Sequence, residues 1–424
     1  MLIQRERYLQ KIIDRQWNGM IKVITGLRRC GKSFLLFEIY REYLIQTGVK
    51  PENIICLALD DDENEQYRDT HALSAYLRNA IRDEKEQYYI LLDEVQYAIS
   101  EEEWKGKKEA RLYSVLNGLL RKRNADIYIT GSNSRFLSSD ILTEFRGRGD
   151  EIRVHPLSFS EFMSAYQGTE REGFGEYMRY GGMPGMIGMK TEGQKTAYLE
   201  RLYQEVYMKD IMERYGFYDT QVMEDVVNIL ASATGSLTNP NRLASVFASV
   251  QHRNVSDKTI RAYIDALKDS FLIEEAQRYD IKGNEYIGSP YKYYFADVGL
   301  RNVKINFRQQ DPGHIMESMI YNELRARDLN VDVGVVRFSE KGKKISGEVD
   351  FVCNQGSRRY YIQSAYTMPD AEKRTQEERP LIQIGDSFRK IILVGDDTLP
   401  WCDIKGVMIM SVRQFLLNPD SLNL

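Results

Sequence analysis

Short aliphatic runs alternate with longer helical patterns over the first 165 residues. Residues 20–26, MIKVITG, form an apolar run that stops at glycine, and KSFLLFEIYREYL follows with helical spacing. This predicts a strand, a loop and a helix. NIICLALDDDE, YYILLDEVQ and ADIYITGSNS repeat the theme, each ending in polar residues. The unbroken apolar stretch from Tyr88 to Leu92 is what a strand buried on both faces of a parallel sheet requires. The expected architecture is an α/β domain whose parallel sheet carries its chemistry at the carboxyl edge.

The pattern then changes. Residues 176–215 read as helices interrupted at GGMPG, with Leu199, Leu202, Val206 and Ile211 at helical spacing, as in a packed lid or connecting helix. VMEDVVNILASATG, NRLASVFASV and DKTIRAYIDALKDSFLI predict three helices, and IEEAQRY and YKYYFA two strands, the order of a winged helix. HIMESMIYNELRARD then predicts a helix, followed by strands VGVVRFSE, SGEVDFVCN and RRYYIQSAY, and by RKIILVGDD and GVMIMSVRQFLL. The expected domains are 1–165, a P-loop domain; 166–285, a helical lid and winged helix; and 286–424, an α+β domain with a nuclease-like core. At 424 residues the chain is long enough for two or three cores.

The first loop carries the sharpest chemistry. Gly26, Leu27, Arg28, Arg29, Cys30, Gly31, Lys32 and Ser33 satisfy G-x-x-x-x-G-K-[ST], and Phe34 follows. The glycines let the backbone curl so that successive N–H groups face phosphate oxygens, and the following helix adds about half a positive charge at its N-terminus. Lys32 is placed to reach the β- and γ-phosphates, and the Ser33 hydroxyl to ligate magnesium. Asp93 and Glu94 end the third strand: Asp93 is expected to hold magnesium through water, and Glu94 to polarise the attacking water. Thr130, Ser132 and Asn133 end the fourth strand, where a polar residue would sense the γ-phosphate or position water. The plainer alternatives are a glycine turn, acids that cap a helix, and polar residues in a turn.

VITGLRRCGKS, ILLDEVQ, LLRKRNADIYITGSNS, the block FRGR to PLSFSEF, YGGMPGM and GEVDFV occur in this order over most of the chain. In these pieces it resembles the prokaryotic AAA-type ATPases that join a P-loop domain to a C-terminal domain of unknown function. The resemblance implies ATP as the nucleotide, where the loop alone does not choose one. It places Lys32 and Ser33 in the Walker A loop, Asp93 and Glu94 in Walker B, and Ser132 or Asn133 at a sensor position. Arg148 would be the GR arginine; Arg146, across Gly147 from it, has no assigned counterpart. An arginine given by a neighbouring subunit is worth about three to five powers of ten in rate, and would require a homo-oligomer. The alternative is a solvated surface arginine.

In nucleases of the PD-(D/E)xK type, an Asp and an acid-x-Lys on successive strands hold a divalent ion and a polarising amine. Here Asp350 is present, but the second acid falls at Gln363 and the lysine at Ala365. With Asp350 and Glu317 remaining, a nuclease fold without nuclease activity is expected. Partner binding is left to local features. Lys341, Lys343, Lys344, Arg358 and Arg359 form a basic set, and Lys258, Thr259, Arg261 and Lys268 on the third winged-helix helix are opposed by Asp257, Asp265 and Asp269. A net charge of -4 gives no global attraction to nucleic acid or an anionic membrane. Four scattered histidines argue against zinc, and the four cysteines form no C-x-x-C pair. With that cysteine pattern and an N-terminus, MLIQRERYLQ, without the apolar run of a secretion signal, a reducing cytoplasm is expected; no run approaches the roughly 18 apolar residues of a membrane span. The functional expectation is magnesium-dependent ATP hydrolysis that rearranges the appended domains, with a slow protein-binding switch or a DNA-associated ATPase as alternatives.

Overall fold

In the computed structural model, which describes residues 3–104, 110–131, 147–250, 255–308, 311–340 and 342–424, the early apolar runs become a parallel sheet. Its strands are β1 (Ile21–Thr25), β2 (Ile54–Ala58), β3 (Tyr88–Asp93), β4 (Ala125–Thr130) and β5 (Gly149–Arg153), in the order β2-β3-β4-β1-β5. All four pairings are parallel. Because β4 lies between β1 and β3, the ends of the three strands stand side by side: Ile24 pairs with Thr130, and Leu92 with Ile129. The polar strand ends of the sequence thus gather on one edge.

Helices α1 (Glu6–Ile13), α2 (residues 32–46), α3 (Thr70–Ala80) and α4 (Arg111–Leu120) are among the helices of this unit; α2 contains a π-helical stretch, Leu35–Tyr40. Alternate residues Ile21, Val23, Ile90, Leu92, Ile127 and Ile129 pack against Leu73 and Leu77 of α3 and Leu112, Leu116 and Leu119 of α4. On β1, Lys22 is fully buried and bound to Asp126. Asp126 also accepts from the Tyr128 hydroxyl at 2.6 Å, and Tyr128 accepts from Tyr40 of α2 at 2.7 Å. Burial pushes the Lys22 pKa down, opposed by Asp126. This ion pair is a structural tie between β1, β4 and α2.

The chain divides into two compact units: Met1–Val154 with Asp269–Phe271, and His155–Lys268 with Leu272–Leu424. The second begins with α5 (Phe159–Ala165), α6 (Glu170–Tyr180), α7 (residues 192–215), α8 (Thr220–Ser232), α9 (Pro240–Val250) and α10 (Asp257–Asp269). Three of these helices start at reciprocal caps, Ser158 with Glu161, Thr169 with Glu172 and Thr191 with Gln194, which satisfy otherwise orphaned N–H groups.

After α10 come β6 (Ile273–Asp280), β7 (Glu285–Phe295), α11 (Val298–Lys304), α12 (Pro312–Ala326), β8 (Asn330–Glu340), β9 (Lys343–Gln355), β10 (Arg358–Ala365), α13 (Ala371–Ile382), β11 (Arg389–Val394), β12 (Trp401–Cys402), β13 (Val407–Ser411) and α14 (Val412–Leu417). The strands form one mixed eight-stranded sheet, β12-β13-β11-β10-β9-β8-β6-β7. The β6–β7 hairpin is antiparallel and extends the sheet through a parallel β6–β8 pairing. One face buries Val331, Val333, Phe351 and Ile362 against Met316, Ile320 and Leu324 of α12 and Phe415 of α14. The other buries Val349, Tyr361 and Ile392 with Leu381 of α13.

The YGGMPGM segment is explained by packing within this second unit. Gly181 has φ +74°, and a Cβ on Gly182 would lie 2.1 Å from the Leu157 carbonyl oxygen. The chain runs this close because Asp297, the N-cap of α11, accepts from the Gly182 N–H at 2.6 Å and the Leu300 N–H at 3.1 Å. Asn302 donates to the carbonyls of Met178 and Arg179, and Arg301 to that of Ala231, so α11 ties α6 to α8.

Burial pushes the Asp297 carboxyl from 3.8 to about 6, against the backbone N–H groups that favour the carboxylate. The folded chain therefore holds this proton more tightly than the unfolded chain between those two values. Stability is highest below the unfolded pKa and falls as pH rises through the folded one, by up to about 3 kcal/mol. Chemical denaturation of the parent between pH 4 and 7 should show this decline. Asp297→Asn should be less stable but should lose that component of the slope.

Candidate functional site

The glycine loop leaves the end of β1 and enters α2 at the carboxyl edge of the parallel sheet. Its curl depends on two glycines. Gly26 has φ +138°, where a Cβ would stand 2.1 Å from the Val154 carbonyl oxygen, and Gly31, the N-cap of α2, has φ +100°. Neither backbone suits an L side chain. Leu27 and Cys30 are buried, Arg28 is half-buried, and Arg29 and Phe34 are exposed. The loop is braced from behind, since the Cys30 carbonyl accepts from the Arg5 guanidinium at 3.0 Å and its thiol lies 3.4 Å from the Val154 carbonyl.

Lys32 is buried, and its ammonium donates to the carbonyls of Gly26 at 3.0 Å and Leu27 at 3.2 Å. The amine is thereby held within the curl. The Ser33 hydroxyl lies near enough to Asp93 to favour its carboxylate, so the expected hydroxyl and carboxylate ligands of magnesium are neighbours. Asp93 is only 3% exposed. Burial pushes its carboxyl above the usual range, while the neighbouring hydroxyls of Ser33 and Thr130 work in the opposite direction.

Thr130 closes the arrangement. Its hydroxyl donates to Asp93 and accepts from the Glu94 N–H at 3.0 Å, linking the ends of β4 and β3. Glu94 sits at φ +48°, at the start of the turn Val95–Ala98, and its carboxylate accepts from the Gln96 amide. Asp93, Thr130 and Glu94 thus form one hydrogen-bonded chain beside the glycine loop, with the Ser33 hydroxyl close to Asp93. Two oxygen ligands beside a buried amine and a curled backbone suit a triphosphate and a hard divalent ion.

The remaining candidates divide. Ser132, Asn133 and Arg146 lie outside the described residues. Arg148 is exposed, and its carbonyl accepts from the Ile21 N–H at the start of β1. That is the amino edge of the sheet, roughly 15 Å along β1 from the glycine loop, so Arg148 is not brought to the site of its own chain. The acids after β2 serve a turn, where Asp61 accepts from the Glu63 N–H. The role of Thr130 as the link was only partly legible: its place at a strand end was visible, but the strand order that sets it beside Asp93 was not.

In the second unit, Glu317, Asp350, Gln363 and Ala365 do converge. Asp350 accepts from the Ser364 N–H at 2.9 Å, its own N–H donates to the side-chain amide oxygen of Gln363 at 3.4 Å, and Ala365 is buried. Sequence reasoning missed Lys292 on β7, whose ammonium lies 2.9 Å from Glu317, 2.8 Å from Glu348 and 3.4 Å from Asp350. It is 58 residues from Asp350 along the chain, and no motif marks it. Burial alone would lower the Lys292 pKa, but Glu317, Asp350 and Glu348 together raise it. Asp350 is pushed upward by burial and by Glu317.

The glycine loop, the buried amine and the acid pair at the edge of a β2-β3-β4-β1-β5 sheet define a P-loop nucleotide-binding domain. Residues 18–163 match the family described as AAA domain, and residues 171–311 the domain of unknown function DUF8612. The chain is 33% identical over 421 residues to an uncharacterized protein of Haemophilus influenzae, covering 98% of this chain and 99% of that one. A second uncharacterized protein, from Methanocaldococcus jannaschii, is 26% identical over 372 residues, covering 84% of this chain and 77% of the relative. The chain belongs to the family of the Haemophilus protein, with an AAA domain followed by a domain of unknown function. An AAA domain implies ATP binding and hydrolysis. Similar solved structures include AMPPCP-bound DnaA from Aquifex aeolicus, at 13% identity and TM-score 0.32 over 61% of this chain and 85% of that one. The Aeropyrum pernix ORC1 protein in complex with DNA stands at 10% and 0.30, over 74% and 94%. These likenesses are too slight to carry an argument. Among the described residues, no helix is long and apolar enough to cross a membrane.

Replacing Thr130 by valine keeps the shape but removes the donor to a buried carboxylate. Thr130→Val should lower the stability of the nucleotide-free protein by about 1–3 kcal/mol, read by urea denaturation. Thr130→Ser should retain most of it.

Proposed function

We propose that the protein is a magnesium-dependent ATPase whose turnover rearranges its helical and eight-stranded parts. The observation that carries this reading is the hydrogen-bonded chain Asp93, Thr130 and Glu94, with Ser33 close to Asp93, beside the buried Lys32. The loop amides and Lys32 grip the phosphates. Ser33 and Asp93 would hold the metal, Ser33 through its hydroxyl and Asp93 through a water. Magnesium, when bound, supplies charge neutralisation on the β- and γ-phosphates. Glu94, with its N–H fixed by Thr130, orients and deprotonates the attacking water in line with the γ-phosphate. Gln96 holds the Glu94 carboxylate before reaction. Ser132 or Asn133 senses the γ-phosphate.

Arg148, at the far edge of its own sheet, serves the site of a second copy, so the active form is a homo-oligomer. The three helices α8 to α10, with the β6–β7 hairpin that they share with the eight-stranded sheet, act as a winged-helix binding module. The eight-stranded sheet is a nuclease-like fold that does not cut. A DNA-associated role is the second reading, favoured by exposed Lys258 and Arg261 on α10; exposed Asp257 and Asp265 on the same helix oppose it and favour a protein partner. A cytoplasmic setting accords with the cysteine pattern.

Lys32→Ala should abolish nucleotide binding in calorimetry, whereas Glu94→Gln should bind ATP and lose turnover by at least about a hundredfold. Parental hydrolysis by Glu94→Gln would refute the role given to Glu94. Turnover should change little on adding duplex DNA, and strong stimulation would select the DNA-associated reading. Arg148→Ala should lose about a thousandfold in rate. Mixing it with Glu94→Gln should restore part of the activity, because an assembly can pair an intact Glu94 with a partner's intact arginine.

A further inference from the structure

Three carboxylates around one point normally call for a metal ion, because like charges in a desolvated site repel unless a cation stands between them. In the second unit Glu317 comes from α12, and Glu348 and Asp350 from β9. Between them stands the Lys292 ammonium, 3% exposed and within 3.4 Å of an oxygen from each. The neighbouring groups are arranged around that cation. Tyr294, two residues along β7, donates its hydroxyl to Glu317 at 2.7 Å, and the Ser364 N–H donates to Asp350 at 2.9 Å. Gln363 adds no fourth charge, and the small buried Ala365 leaves no second amine on β10.

We infer that Lys292 is the built-in cation of this carboxylate centre: its ammonium occupies the place a hard divalent ion would take, and the parent centre binds none. Lysine and a metal ion cannot share the same oxygens, since an ammonium within 3 Å of two of the carboxylates repels any second cation placed there. The centre is therefore an ionic tie that fixes β7 to α12 and β9; as it stands no group of three or more Asp, Glu, His or Cys among the described residues is arranged to hold a metal ion, and removing the amine leaves three carboxylates free to close around one. This inference is independent of the ATPase reading.

The test uses the full-length, nucleotide-free protein, with Mn²⁺ as the probe. Lys292→Met keeps the apolar stem and removes the charge. Millimolar Mn²⁺ should raise the melting temperature of Lys292→Met by several degrees. It should not do so for the double variant Lys292→Met with Asp350→Asn, which also controls for any ion near Ser33 and Asp93. A folded Lys292→Met whose melting is no more sensitive to Mn²⁺ than the double variant would overturn the proposal. So would an unfolded one that Mn²⁺ fails to restore. A second measurement does not depend on that variant: Mn²⁺ titration followed by electron paramagnetic resonance, comparing the parent with Glu348→Gln, whose side chain is 40% exposed. Equal binding is expected. A parental site lost in Glu348→Gln would show that metal displaces the lysine, and the inference would fail.

Discussion

The hydroxyl of Thr130 is the joint on which the site depends. It donates to Asp93 and accepts from the Glu94 N–H, and so makes two strand ends behave as one surface. That contact exists because β4 is threaded between β1 and β3. In a sheet where β1 and β3 were neighbours, the residue between loop and acid pair would be absent. The loop conformation depends in turn on Gly26, whose missing side chain lets the turn pass against the Val154 carbonyl. Backbone sterics set the loop, strand order sets the acids, and one hydroxyl couples them.

Much of this was legible in the residues, for identifiable reasons. A glycine loop between an apolar run and a helical pattern names its own geometry, since the strand and helix that confirm it lie within a few residues. Parallel strands buried on both faces read as continuous apolar runs, and Tyr88 to Leu92 is buried throughout. Strand order is a different kind of information. Nothing near Thr130 says that its neighbour will be Asp93, and nothing near Arg148 says that it will lie at the opposite edge of the sheet. The YGGMPGM segment shows the same limit. Its glycines announced a break, but their reason is the Asp297 carboxylate, 115 residues away from Gly182.

The second unit shows how a sequence pattern can be informative and still incomplete. The helix-then-three-strand order and the neutral residues at 363 and 365 were visible. They described a centre with too little charge to hold a metal, whereas the structure shows a centre with a cation of its own. Lys292 reaches it from the edge strand β7, which pairs with β6 and not with β9. A gap in a local motif is therefore not an empty place in space; another strand can fill it.

Asp93 and Asp350 face the same electrostatic problem with different partners. Each is a carboxylate less than a tenth exposed, and burial raises the pKa of both. Asp93 is met by the hydroxyls of Ser33 and Thr130, neutral groups that orient the carboxylate without cancelling its charge. A cation arriving with a nucleotide would gain the full Coulombic attraction there. Asp350 is met by an ammonium already attached to the chain, so an incoming cation would gain little and would have to expel a buried amine. The same residue type in a strand becomes an exchangeable cation site or a permanent tie according to who neutralises it. Neutralisation by hydroxyls leaves a carboxylate free to take up and give back a cation. Neutralisation by lysine leaves it a fixed part of the fold.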